Sequence, residues 1–289
     1  MAGRCTLTPA LSRWRERGHA TLTPTRSRTR EGEWRGSATV NDVLVIDVGN
    51  SRMKWGLRST RGWIAQGAVP NQDIGSLAVR DWQTLERPAR AVGVNVAGEA
   101  ARVRVEGQIA RWRLAIEWQH SSAQAGGVVN RYADPSRLGP DRWASLVAAR
   151  RREMARGAPP RPVIVVNAGT AVTVDALDAD GVFHGGLIVP GIHLMLRSLA
   201  DNTAALRVTP GTFHDFPTST PDALRTGALQ AVCGAIEQMR AKLARDGGEV
   251  VCYLAGGGAQ DIAPHLSPPL ERVDNLVLEG VLVLASQSR

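Results

Sequence analysis

The stretch Val43-Leu-Val-Ile-Asp47-Val-Gly49-Asn50-Ser51 is repeated 120 residues later as Val163-Ile-Val-Val-Asn167-Ala-Gly169-Thr170-Ala171, without a gap. The alignment runs on to Leu57 and Leu177, and it places Asp47 on Asn167, Gly49 on Gly169 and Asn50 on Thr170. In the first copy four apolar residues, three of them β-branched, predict a buried strand, and the acid followed by Gly-Asn-Ser predicts the tight turn that ends it. Met53, Trp55 and Leu57 then alternate as a returning strand does. An offset of 120 residues is a domain's length and far exceeds a solenoid period, so the repeat predicts two related α/β domains. Either hairpin alone would be unremarkable. Two in register, each with glycine and a small polar residue at its tip, can hold phosphates through turn N–H groups and hydroxyls, and so point to a phosphotransferase.

The rest of the composition narrows the partners. Of the formal charge of +8, residues 1 to 40 supply +5 through eight Arg and three Glu, which leaves +3 for the body of the chain. A body so weakly basic argues against a nucleic-acid partner. The leader, rich in Arg, Ser, Thr, Pro and Gly, cannot bury enough apolar surface to fold alone. It reads as a disordered segment with no functional role, and a nucleic-acid-binding arm is the minority reading. No apolar run reaches the ~20 residues of a membrane helix. Cys5, Cys233 and Cys252 have no metal-ligand spacing and suggest a reducing, cytoplasmic setting without a structural disulfide.

Between the hairpins, the pattern predicts a short strand at Trp63 to Ala65, a short helix within Asp81 to Leu85 and a strand from Arg90. A helix follows from Gly98 to Trp112 with Val103, Val105, Ile109 and Trp112 as its apolar set, and then a strand at Ala115 to Trp118. The segment Asn130 to Trp143, turn-rich and then opening a helix at Gly139-Pro140-Asp141, gathers Asn130, Tyr132, Arg137 and Arg142. Asp141 suits an N-cap there, although the loop's polar set also suits a small acid. Gly157-Ala-Pro-Pro-Arg-Pro162 is a linker, so the division expected is a leader at 1–40, one domain at 41–157 and a second at 158–289.

In the second domain a strand leads through Gly185-Gly186 and Pro190-Gly191 into a helix from His193 to Leu206. Thr220 is the expected N-cap of a long helix with Pro221 first inside it; its apolar positions are Leu224, Ala228, Val232, Ile236, Met239 and Leu243, and it stops at Gly247-Gly248. A strand at Glu249 to Leu254 precedes Gly256-Gly257-Gly258, where glycine permits close approach to the backbone. The run lacks the spacing of a dinucleotide fingerprint, and there is no Walker motif.

Taken together, Asp47-Val-Gly49-Asn50-Ser51 with Lys54-Trp55, Gly139-Pro140-Asp141-Arg142, Asn167-Ala-Gly169-Thr170-Ala171 with Thr173 and Asp175, Gly185-Gly186 with Pro190-Gly191, Thr220 with Gly227, and Gly256-Gly257 resemble the type III pantothenate kinases. The resemblance runs in order from Val43 to the C-terminus. It implies two duplicated ribonuclease-H-like, actin-like ATPase domains with nucleotide in the cleft between them, and phosphorylation of pantothenate by ATP. It further implies that Asp47 associates with magnesium through water, and that Gly49, Asn50, Ser51 and Lys54 form the first phosphate turn and Gly169, Thr170 and Ala171 the second. Gly256 and Gly257 would face adenosine and Asp141 would be the catalytic base. Tyr132, Gly139, Pro140, Arg142 and Thr220 would surround pantothenate at the interface of a homodimer. Asn167 departs from the Asp usual in the family, which implies a weakened site for the activating monovalent cation, potassium or ammonium. Two other readings stay open: another kinase of the same superfamily, and a non-catalytic accessory factor in gene expression.

Overall fold

A computed structural model describes residues 42–203, 209–244 and 248–287. The Arg-rich leader, the end expected for the helix at Leu206 and the stop expected at Gly247 lie outside the described residues.

Both copies of the repeat are antiparallel hairpins. In the first, β1 (Val43–Val48) pairs with β2 (Arg52–Ser59), Asp47 standing opposite Lys54. In the second, β8 (Val163–Ala168) pairs with β9 (Ala171–Leu177), Asn167 standing opposite Thr173. The first sheet continues with β3 (Gly62–Pro70), β4 (Arg90–Asn95) and β5 (Ile116–Trp118) in the order β3-β2-β1-β4-β5. The second adds β6 (Gln124–Ala125), β7 (Val128–Asn130), β10 (Val182–Pro190), β11 (Val251–Ala255) and β12 (Leu270–Arg272), in the order β12-β11-β8-β9-β10-β7-β6.

Alternation along the strands divides the apolar residues among three cores. Leu44, Ile46 and Val48 face outward onto α1 (Glu99–Ile109) and its surroundings, while Val45 faces inward. On β8, Ile164 and Val166 face α4 (Thr220–Leu243), while Val163 and Val165 face inward. The inward residues of both sheets close on one middle layer, built of α2 (Pro140–Met154) and α6 (Leu276–Gln287). These two helices cross so tightly that a Cβ at Gly280 would collide with the backbone of Ala144.

The boundary expected at 157/158 therefore separates the two repeats in sequence but not the packed layers. β6, β7 and α2 precede the linker yet pack with the second sheet, and α6 returns from the far end to lie against β1 and β4. Four local expectations are also corrected. The strand around Trp63 extends over nine residues, and the helix expected at 81–85 is absent: a 3-10 helix at Asn71–Val79 precedes turns that carry Trp82 fully into the core. Val103 is 57% exposed, because α1 buries Ala101, Val105 and Ile109, and position 103 lies on the opposite side of that i, i+4 row. Ser219, not Thr220, caps α4: its hydroxyl accepts from the Asp222 N–H at 3.3 Å and donates to the Asp222 carboxylate at 2.6 Å, a reciprocal arrangement that leaves Thr220 as the first helical residue. The helix between Gly191 and the described limit, α3 (Ile192–Asn202), packs on α4.

Candidate active site

The two hairpin tips meet. Ser51 Oγ lies 2.7 Å from Thr170 Oγ1, across a sequence separation of 119 residues. Each tip is closed by its glycine, Gly49 N–H donating to the Arg52 carbonyl three residues on at 3.1 Å and Gly169 N–H to the Ala171 carbonyl two residues on at 3.0 Å. Asn50, Ser51, Gly169 and Thr170 are exposed, whereas the strands that carry them are buried, so their polar groups face solvent at the head of the molecule. Asn71, which sequence reasoning missed, braces the first tip by donating its side-chain amide to the carbonyls of Gly49 at 2.8 Å and Asn50 at 2.9 Å. Its signal is a long-range contact from a stretch without periodicity.

Asp47, at the end of β1, is 9% exposed. Burial pushes its carboxyl up to about 7; the nearby Asp141 charge adds to the rise, and Lys54 opposes it. Asp141 is the second residue of α2. Gly139 occupies the cap position and Pro140 the first turn, and no side chain caps the helix, so the capping expected of Asp141 does not occur. Its Oδ1 accepts only from the neighbouring Arg142 N–H, at 2.8 Å. A Cβ at Gly139 would stand 2.7 Å from that oxygen, which accounts for glycine here. Burial raises the Asp141 pKa, and the adjoining backbone hydrogen bonds and the Arg142 charge limit the rise.

Arg142 is buried and its guanidinium is engaged on two sides. Nε and Nη2 bind the Asp175 carboxylate, Nε at 3.1 and 3.2 Å, and Nη1 donates to the Tyr132 hydroxyl at 2.9 Å. Burial opposes its charge, but Asp175 outweighs it and raises the pKa. The ring of Tyr132 stacks on Phe183 with centroids 5.7 Å apart. Gly186 makes room for the pair, since a Cβ there would strike both Asp175 and Arg142. Sequence reasoning placed Tyr132 and Arg142 together but assigned no partner to Asp175.

The glycine turn after β11 also reaches the second hairpin. Gly256 has φ +98°, and a Cβ on it would collide with the backbone of Ala168, so the close approach that requires glycine is to the protein's own chain. Gly258 N–H donates to the Ala168 carbonyl at 3.0 Å, and Gly257 faces open space. Thr220 stands apart from the carboxylates. It lines a cavity of about 1030 Å³ with Pro190, Leu194, Leu199 and Gly227, where α3 and α4 diverge. Gly191 N–H, next to Pro190, donates to the Thr170 carbonyl at 2.9 Å and so joins that cavity to the second tip.

Among the described residues no cluster of three or more His, Cys, Asp and Glu side chains is arranged to hold a metal ion. The donors present nevertheless fit magnesium, which takes one or two carboxylates and completes its shell with water and phosphate oxygens. Asp47, whose ionised form lacks a strong counter-charge, offers such a carboxylate beside the paired tips. Thr173 Oγ1, across the strand pair from Asn167, is buried without a hydrogen-bond partner.

Two sheets sharing a helical layer, with paired glycine turns at the meeting hairpin tips, define the class of fold. Solved structures agree on the fold: a Sinorhizobium meliloti protein titled a 2-dehydro-3-deoxygalactonokinase superposes with a TM-score of 0.54 at 13% identity, covering 85% of this chain and 99% of that one. A Campylobacter jejuni protein titled a Baf family transcriptional activator gives 0.53 at 18% identity over 85% and 98%. The family profile described as Type III pantothenate kinase matches residues 43–242. A type III pantothenate kinase of Leptothrix cholodnii is 47% identical over 251 residues, 84% of this chain and 96% of its own length, and one of Acidovorax ebreus is 44% identical over 249 residues, 84% and 96%. The chain belongs to the type III pantothenate kinase family.

Proposed function

We propose that this enzyme transfers the γ-phosphoryl group of ATP to the primary alcohol of pantothenate, giving 4′-phosphopantothenate, the first step of coenzyme A biosynthesis. The observation that carries the reading is the position of Asp141, a half-buried carboxylate with no capping duty, within electrostatic reach of Asp47. Phosphoryl transfer depends on positioning, charge neutralisation and removal of the acceptor's proton. Asp141 accepts that proton from the pantothenate alcohol. Gly49, Asn50, Ser51 and Lys54 on one side, and Gly169, Thr170 and Ala171 on the other, hold the phosphates, while Gly256 and Gly257 form the adenosine wall. Tyr132, held by Arg142, donates from the acceptor side, and Thr220 contacts pantothenate from the cavity wall. Asp47 would hold magnesium, which would supply positive charge to the phosphates.

The oxygens of Asn167 and Thr173 take a monovalent cation, potassium or ammonium, which fits the unpartnered Thr173 hydroxyl. The exposed Leu194 and Leu199 line the Thr220 cavity, and a second copy of the chain covers them, making a cytoplasmic homodimer whose interface contributes to the acceptor site.

A coupled assay with ATP, magnesium and an acceptor panel, with and without potassium, tests the activity, and sedimentation tests the dimer. Pantothenate should be the preferred acceptor and potassium should raise the rate. Preference for a sugar or a simple carboxylate would replace the reading with another kinase of the class.

A further inference from the structure

The catalytic carboxylate sits on a helix that no side chain caps, so something else must set its position. One support is the Arg142–Asp175 pair, which ties the first turn of α2 to β9. A second support comes from β8. Ser145, fully buried one turn after Asp141, places its Oγ 2.9 Å from the Asp141 carbonyl, 3.0 Å from Asn167 Nδ2 and 3.4 Å from Asn167 Oδ1, so the carbonyl is the nearer of its two acceptors. A serine hydroxyl carries one proton. With that proton on the carbonyl, Asn167 must be the donor to Ser145, which fixes the orientation of the amide and leaves its Oδ1 as an acceptor.

We propose that Asn167 and Ser145 form a positioning pair for Asp141: the neutral amide donates to Ser145, Ser145 donates to the Asp141 carbonyl, and the first turn of α2 is thereby locked to the second phosphate hairpin. The pair couples the base to the phosphate turn because Asn167, on β8, lies two residues before Gly169 in the turn that follows. A carboxylate at 167 has no proton to give. Ser145 would turn its single proton toward that acid and release the Asp141 carbonyl, even though an oxygen ligand for a cation would remain. The neutrality of Asn167 is thus required by the hydrogen-bond chain itself.

The proposal rests on Asp141 being the base, so the test has one readout in activity and one outside it. Asn167→Asp, Ser145→Ala and the double variant are compared with the unchanged chain at saturating magnesium and potassium. Each single variant should lower kcat about fivefold to tenfold, as expected for one lost hydrogen bond, with the KM values for ATP and pantothenate within about twofold. The double variant should fall no further than Ser145→Ala alone, because the two residues act through one contact. Amide hydrogen exchange should accelerate over residues 141–146 in all three and stay unchanged over the second half of α2. Unchanged exchange, additive losses in kcat, or faster exchange with kcat intact would each overturn the proposal. If the unchanged chain fails to phosphorylate pantothenate, the functional reading falls, and exchange still decides whether the tether exists.

Discussion

Asp47 and Asp141 are both carboxylates raised by burial, and substitution separates their roles. Asp141→Asn removes the proposed base without removing a cap, so melting temperature should hold while kcat falls ~10²- to 10⁴-fold; near-normal turnover by a folded variant would show that another group accepts the proton. Asp47 carries a cost for folding whose sign follows from its raised pKa of about 7. Below the unfolded value of 3.8 both states are protonated, and the folded state's preference for the proton favours folding; that advantage is lost as pH rises through about 7, where the buried group must ionise. Asp47→Asn should therefore raise the melting temperature at pH 8 more than at pH 5 in the absence of magnesium. Magnesium should stabilise the unchanged chain at pH 8 and have little effect on the variant. Equal shifts at both pH values in a thermal melt would show that Asp47 is not the group responsible. The acid itself could be read from the repeated motif, but its coupling to Asp141 could not, because 94 residues separate them and only the packing of α2 brings them near.

Among the elements, the paired strands were legible because alternation and turn chemistry are local. Met53, Trp55 and Leu57 alternate in the sequence, and the structure buries them together. Helix starts were less legible, since capping depends on backbone angles that neighbouring residues share. At α4, Ser219 and Thr220 are chemically alike, but Ser219 has the extended φ −127° and ψ 152° of a cap. The two positions should accordingly respond differently. Ser219→Ala should cost about 1 kcal/mol in denaturant unfolding with little change in kinetics, the usual loss for an N-cap. Thr220→Ala should leave stability nearly unchanged and raise the KM for pantothenate. A reversal of these two outcomes would return the cap to Thr220 and remove it from the acceptor site.

At the scale of the whole molecule, the repeat disclosed two sheets but concealed how they are joined. Nothing in the linker composition shows that the middle layer takes one helix from before it and one from the far end. The leader gives a prediction at this scale: removing residues 1–40 should leave melting temperature and kcat unchanged, because its composition cannot supply a packed surface, and a large loss of either would make it part of the fold. The return of α6 to the first sheet has a further consequence for the order in which the protein is made. A ribosome releases β1 and β4 early, yet the helix that packs on their inward face, with Leu276, Leu278, Val281 and Leu284, emerges after every strand of both sheets. The inner apolar face of the first sheet therefore stays incomplete until α6 has been made. A nascent chain stalled anywhere before Leu276 would have an unfinished core in its first half as well as its second.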